Sequence, residues 1–420
     1  MESDLCPFTF IYKHVESSSL DLAIDYYPPS IQSASAEHGS TRGGPSVAPT
    51  HLGAPCLVYF HGGGMTVGDR KSWFPSWLHQ RITSSGIAFI SADYRLVPPC
   101  TGHDVLCDMK DLFAFLSASL NTQLLSLEPN HDHTSSRTVF KIDPERIGVA
   151  GSSAGGLCAY LAAAHAFPRP KVVLSMYGMG GDFLTPHYLL PKTRPFFRGR
   201  EILSPSTFSD FLYPRSSDLS QLSGSSLEYY GEGESEVYPR GYPKNLRMQL
   251  TRLYLQLGIF LDYWTGEHGS QYQDGKGEED APRRAGEPGA RKTGDEERSL
   301  SARLRMALTS DISSPNEERA HVRSLIPSSS LSLFPQFLVD EHWPATFLVH
   351  GELDTAVPVG ESRALCDAIK KLQIKEDVKL RVIPGEEHSF DYQPGAEERF
   401  GGEGGLYDEI VGFVRKVLGP

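Results

Sequence analysis

Between Pro55 and Tyr177, short apolar runs alternate with stretches whose apolar residues recur at helical spacing. Cys56–Phe60, Ile87–Ala92, Arg146–Ala150 and Lys171–Tyr177 read as strands. Lys71–Ser85, Asp104–Leu120 and Gly155–His165 read as the helices between them, the second with Val105, Met109, Leu112, Phe113 and Leu116 on one face. A strand that is apolar throughout has to be covered on both faces. Strands of that kind alternating with helices predict a mostly parallel sheet flanked by helices. Two β-like runs, Phe8–Val15 and Leu20–Tyr27, precede this block. The rhythm stops after Tyr177 and returns at Pro344, with strands Thr346–His350 and Val378–Ile383 and helices Glu361–Leu372 and Leu406–Leu418. One α/β domain is therefore expected, its core in residues 1–177 and 341–420, interrupted by an insertion over 178–340.

The insertion contains one amphipathic stretch, Lys244–Thr265, that predicts a helix. Gly266–Ser299 has no Val, Leu, Ile, Met, Phe or Trp and is dense in Gly and charged residues, so disorder is expected there. The 420 residues carry a net charge of −12, which argues against a nucleic-acid binder. No run approaches the ~20 apolar residues of a membrane-spanning helix. Met1–Cys6 shows no basic-then-apolar leader pattern, and the six cysteines are scattered without a CxxC pair, so a reduced cytoplasmic setting is the expectation.

Three chemistry-bearing clusters each follow a predicted strand, where open α/β sheets place their binding crevice. Gly151-Ser152-Ser153-Ala154-Gly155 fits G-x-S-x-G between a strand and a helix. Small neighbours allow a sharp turn that lifts the Ser153 hydroxyl clear of the sheet, beside a helix N-terminus that favours developing negative charge. His61-Gly62-Gly63-Gly64 follows Cys56–Phe60. Side-chain-free residues there can aim the N–H groups of Gly62 and Gly63, with that of Ala154, at an oxyanion. His61 itself reads as an anchor for the loop rather than a base. Asp354 follows the strand Thr346–His350, and His388 follows the last strand. A serine hydroxyl needs a histidine to take its proton, and that histidine needs a carboxylate to fix its tautomer. The order Ser153, Asp354, His388 is that of nucleophile, acid and base in a nucleophile-elbow hydrolase. Glu352, Glu386, Glu387 and Asp391 are rival acids, and His350 and His103 rival bases.

Together these motifs resemble the α/β-hydrolase fold, with its mostly parallel eight-stranded sheet. More narrowly they are similar to the hormone-sensitive-lipase-like esterase/lipase family, which carries an HGGG loop and a GxSAGG elbow. Asp93-Tyr94-Arg95-Leu96-Val97-Pro98 and Asp143-Pro144-Glu145-Arg146-Ile147 support the likeness. The resemblance implies Ser153 as nucleophile, His388 as base, Asp354 as acid, and Gly62, Gly63 and Ala154 as oxyanion donors. Two features depart from it. Ser152 stands where many members have Asp, and Gly351–Pro358 looks like the G-x-x-D-x-x-V-P turn of peptidase-like hydrolases. The insertion occupies the place of a lid, with Met179 and Phe183 as candidate substrate-binding residues. Tyr229, Tyr230, Tyr238, Tyr242 and the helix Lys244–Thr265 are candidates for an apolar roof. The expectation is a serine esterase acting on a small to medium, uncharged and partly apolar ester, with no metal or organic cofactor. The alternatives are an amide, formamide, lactone or peptide hydrolase on the same triad, or an inactive hydrolase fold that binds a ligand.

Overall fold

The computed structural model describes residues 6–30, 53–127, 140–269, 298–308, 315–372 and 378–419. Eight strands form one sheet: β1 (Phe8–Val15), β2 (Leu20–Tyr27), β3 (Ala54–Phe60), β4 (Ala88–Ala92), β5 (Ile142–Ser152), β6 (Val172–Met176), β7 (Ala345–Gly351) and β8 (Val378–Ile383). Their order is β1-β2-β4-β3-β5-β6-β7-β8. β1 and β2 pair antiparallel, as do β2 and β4, and every other pair is parallel. The helices are α1 (Ser76–Ser84), α2 (Gly102–Ala118), α3 (Leu120–Ser126), α4 (Ala154–His165), α5 (Pro186–Leu189), α6 (Arg247–Leu257), α7 (Phe260–Thr265), α8 (Leu300–Leu308), α9 (Pro315–Ser324), α10 (Val359–Lys371), α11 (Ala396–Phe400) and α12 (Leu406–Leu418).

The period of two along the strands splits the interior into two cores. Cys56, Val58 and Phe60 of β3 join one apolar cluster, and Leu57 and Tyr59 join the other. The first cluster is filled from the helix side by α2, α4 and α10, and by α6 to α8, which lie between β6 and β7 in the chain. The second is closed by Trp77, Leu78 and Ile82 of α1 and Ile410, Phe413 and Val414 of α12. Burying one such Leu, Ile or Phe side chain contributes about 1.5–3 kcal/mol.

Polar pins hold the ends of this framework. Arg95 bonds Asp104 and Asp108 of α2, and Asp104 also caps that helix by accepting from the Thr101 N–H. Asp93 accepts from the Arg70 backbone and guanidinium. Arg146 bonds Asp143 and the Gly53 carbonyl, fixing the start of β5 against β3. The register pairs Phe60 with Gly151, Ser152 with Met176, and Gly351 with Ile383, so the strand ends that carry the motifs share one edge.

Two predicted helices differ in extent. The first begins at Ser76 rather than Lys71, because Pro75 is excluded from a helix interior and α1 starts only after it. Lys244–Thr265 is two helices, α6 and α7, separated at Gly258. That residue is left-handed (φ 66°), and a Cβ on it would lie 2.6 Å from the Leu189 carbonyl oxygen. The expected disorder over 266–299 falls mostly outside the described residues. Its described flanks are packed: the His268 ring stacks on Tyr213 with centroids 4.2 Å apart, and Ser299 is buried. No helix among the described residues is long and apolar enough to cross a membrane.

Candidate active site

Ser153 is the hinge between β5 and α4. Its backbone sits at φ 54°, ψ −122°, a region that L-residues rarely occupy. The next residue, Ala154, is the first of α4, whose leading N–H groups have no intrahelical acceptor. The turn is this sharp because small residues flank it. A Cβ on Gly155 would lie 2.0 Å from the Phe60 carbonyl oxygen, so only glycine lets α4 begin against the end of β3. A Cβ on Gly62 would lie 3.4 Å from that of Ser153, which places the glycine loop directly beside the serine. Gly63 takes φ 105°, and its carbonyl accepts from Thr66 N–H at 3.0 Å. His61 is fully buried, stacked on Tyr94, and donates from Nδ1 to the Gly62 carbonyl at 2.7 Å. Burial pushes its imidazole down to about 4, so it is neutral and serves as an anchor.

Asp354 and His388 meet across the ends of β7 and β8. His388 Nδ1 lies 2.7 Å from Asp354 Oδ2. The other carboxylate oxygen accepts from the N–H groups of Ala356 (2.9 Å) and Val357 (2.8 Å). His350 Nε2 is a further 3.2 Å from Oδ2. Burial alone would raise the Asp354 carboxyl, but the charge of His388 and the bonds from both histidines outweigh it and hold it well below the usual carboxylate range. The His388 ring rests edge-on against Tyr177, centroids 4.6 Å apart, and Tyr177 donates to Asp391.

Ser153 and His388 line one cavity of about 210 Å³ together with Gly62, Gly63 and Met179. Ala154 and Asp354 lie behind its wall, both buried. Phe183 is elsewhere: it packs among Tyr188, Phe260, Trp264 and Phe334, because the chain after Gly181 turns inward to the helix core. The rival residues are occupied by other partners. Glu352 accepts from Gly385 N–H, Glu386 pairs with Arg399, and Asp391 accepts from Tyr177 and Trp77. His350 is sealed between Ser362 and the Val357 carbonyl, and His103 faces Ser330.

Of the tyrosines proposed as a roof, Tyr229 lines the cavity, while Tyr230, Tyr238 and Tyr242 stack on one another outside it. α6 supplies Met248, Gln249, Thr251, Arg252 and Leu255. Sequence reasoning missed Trp73, Tyr392, Arg198 and Arg200, which also line the cavity. They come from segments without regular periodicity, and only the assembled chain brings them there. Ser152, the departure from the family pattern, bonds Tyr59 at 2.7 Å, and Tyr59 in turn bonds Tyr392 at 3.3 Å. Among the described residues no group of three or more His, Cys, Asp or Glu is arranged to hold a metal ion.

These features meet the comparisons with known proteins. A family model described as alpha/beta hydrolase fold matches residues 57–204, and one described as the prolyl oligopeptidase family matches residues 309–418. This chain has the α/β-hydrolase fold, and its first part is similar to that family. It is 33% identical over 127 residues to the "Probable carboxylesterase M8" of Phoma sp., covering 30% of this chain and 37% of that one. It is 25% identical over 350 residues to the "Non-reducing polyketide synthase ausA" of Aspergillus calidoustus, covering 80% of this chain and 12% of the synthase. The chain thus spans well under half the length of the curated relatives it matches. Among solved structures, an alpha/beta hydrolase superfamily protein from Enterococcus faecalis superposes with a TM-score of 0.52 at 13% identity, covering 98% of this chain and 99% of that chain. A likeness at that identity concerns the fold.

Proposed function

We propose that this chain is a serine hydrolase that cleaves a carboxylic ester through an acyl-enzyme. The observation that carries the reading is the joint presence of Ser153, in its strained strand-to-helix turn, and the Asp354-bonded His388 on one cavity wall. His388 takes the proton as the Ser153 oxygen attacks the ester carbonyl. The N–H groups of Gly62, Gly63 and Ala154 stabilise the oxyanion, each such donor being worth about 3–4 kcal/mol. The alcohol leaves with the proton from His388. Water, deprotonated by His388, then attacks the acyl-enzyme and releases the acid, restoring the serine. Asp354 keeps the Nδ1–H tautomer and stabilises the imidazolium. The segment between β6 and β7 acts as the lid over this site.

The test is turnover of short 4-nitrophenyl esters, with fluorophosphonate labelling of the serine. Ser153→Ala should lose both while keeping the wild-type circular dichroism. Unchanged turnover in that variant would overturn the reading. A second reading, amide or peptide cleavage on the same residues, is favoured by the prolyl oligopeptidase match over 309–418. A panel pairing each ester with its anilide separates the two.

A further inference from the structure

The charged residues on the cavity wall are all of one sign. Arg198, Arg200 and Arg252 line it, and no Asp or Glu does. This stands out in a chain with a net charge of −12. Arg252 is buried and already neutralised: it bonds Glu201 Oε1 at 3.1 Å and Gln249 Oε1 at 2.9 Å. Arg198 and Arg200 are exposed and, among the described residues, form no ion pair with a carboxylate.

The segment that presents them is held deliberately. Phe196 and Arg200 bridge in antiparallel fashion and close a tight loop. Its three inner residues, Phe197, Arg198 and Gly199, are all left-handed, at φ 50°, 63° and 67°. Two of these are not glycine, a conformation that needs outside support. The support is the turn beside Asp354: Arg198 N–H donates to Thr355 Oγ1 at 2.7 Å, and Thr355 Oγ1 donates to Glu387 at 2.8 Å. The loop is therefore fastened to the turns that carry Asp354 and His388, and Arg198 and Arg200 line the same cavity as Ser153.

We propose that Arg198 and Arg200 form an anion subsite, so that the substrate carries a carboxylate or phosphate away from its scissile carbonyl. This rests on the hydrolase reading and revises the expectation of an uncharged substrate. Planar guanidiniums suit the oxygen pairs of either group. The location at the cavity mouth keeps the charge hydrated until docking and makes the preference sensitive to salt.

The experiment compares matched pairs. One pair is the mono-4-nitrophenyl ester of glutaric acid and 4-nitrophenyl butyrate. The other is butyryl-coenzyme A and the butyryl thioester of N-acetylcysteamine, which lacks the phosphates. In wild type, kcat/KM for the anionic member of at least one pair should exceed that of its neutral partner by about ten-fold. The pair that responds identifies the source of the charge. In Arg198→Glu/Arg200→Glu the ratio should invert, and in Arg198→Lys/Arg200→Lys most of it should return. Equal rates within both pairs, or a preference that survives charge reversal, would overturn the proposal. Calorimetric titration with glutarate and with pyrophosphate supplies an independent reading. Saturable binding lost in the Glu variant supports the subsite even if no ester is cleaved, in which case the hydrolase reading alone fails. Ester cleavage without anion preference or anion binding removes the subsite and leaves that reading standing.

Discussion

Glu387 grips Thr355 with both carboxylate oxygens, one on its N–H at 2.7 Å and one on its hydroxyl at 2.8 Å. The oxygen on the N–H also accepts from the His388 backbone at 2.9 Å. Glu387 thereby ties the turn that carries Asp354 to the turn that carries His388. Glu387→Ala should leave folding nearly intact, since the clasp is solvent-exposed and worth about 1 kcal/mol. It should lower kcat for a short ester about ten-fold or more by loosening the alignment of the imidazole. Glu387→Gln, which keeps one acceptor, should recover part of the loss. Steady-state kinetics beside a thermal melt separates the alignment effect from a stability effect.

On the proposed mechanism, Asp354→Asn would remove the charge that stabilises the imidazolium and favour the wrong tautomer of His388. By comparison with other triads, kcat should fall by about 10⁴-fold with little change in KM. A fluorophosphonate probe should label the variant far more slowly than wild type. Labelling at the wild-type rate would show that Asp354 does not serve His388.

Gly63→Ala tests the glycine loop. The new Cβ would lie 2.1 Å from the Val67 carbonyl oxygen, at a φ of 105° that side chains disfavour. The loop has to shift, and turnover should fall by about 10²-fold or more if its N–H is an oxyanion donor. Acyl-enzyme formation, followed as a burst of nitrophenol, is the step that should slow.

Glu361 gives a stability expectation that does not depend on the reaction. It is buried and accepts from Gly180 N–H at 2.7 Å and Tyr188 hydroxyl at 2.8 Å. Burial pushes its carboxyl up to about 8, a shift that these two bonds only partly offset. The folded state therefore holds the proton over a range where the unfolded chain, near 4.5, has released it. Stability from this group is present in full below about 4.5 and is lost as pH rises through about 8. Glu361→Gln has no proton to lose. Its Tm should match wild type near pH 5 and exceed it near pH 9. A constant difference in Tm across that range would mean that Glu361 does not titrate there.

The central strands β3, β4 and β6 were legible because they are nearly continuous apolar runs, and such a run has few alternatives to a sheet covered on both sides. β1, β2 and β8 match the residues read from the chain, as does α12. The turns around Ser153 and Gly63 were legible too, since closely spaced small residues after a strand announce a backbone that side chains would block. Met179 follows a strand end directly and lines the cavity. Phe183, four residues on, does not, because its direction is set by the aromatic side chains of α5 and α7 rather than by its neighbours in sequence.

Local sequence set the strands, the helix faces and the sharp turns, because each depends on side chains a few residues apart and on backbone sterics. Only the folded chain decided which carboxylate meets His388, which tyrosine reaches the cavity, and that two arginines from an aperiodic loop face it. Those pairings join residues distant in sequence, and their partners are selected by packing and by hydrogen-bond geometry, which leave no periodic trace in the chain.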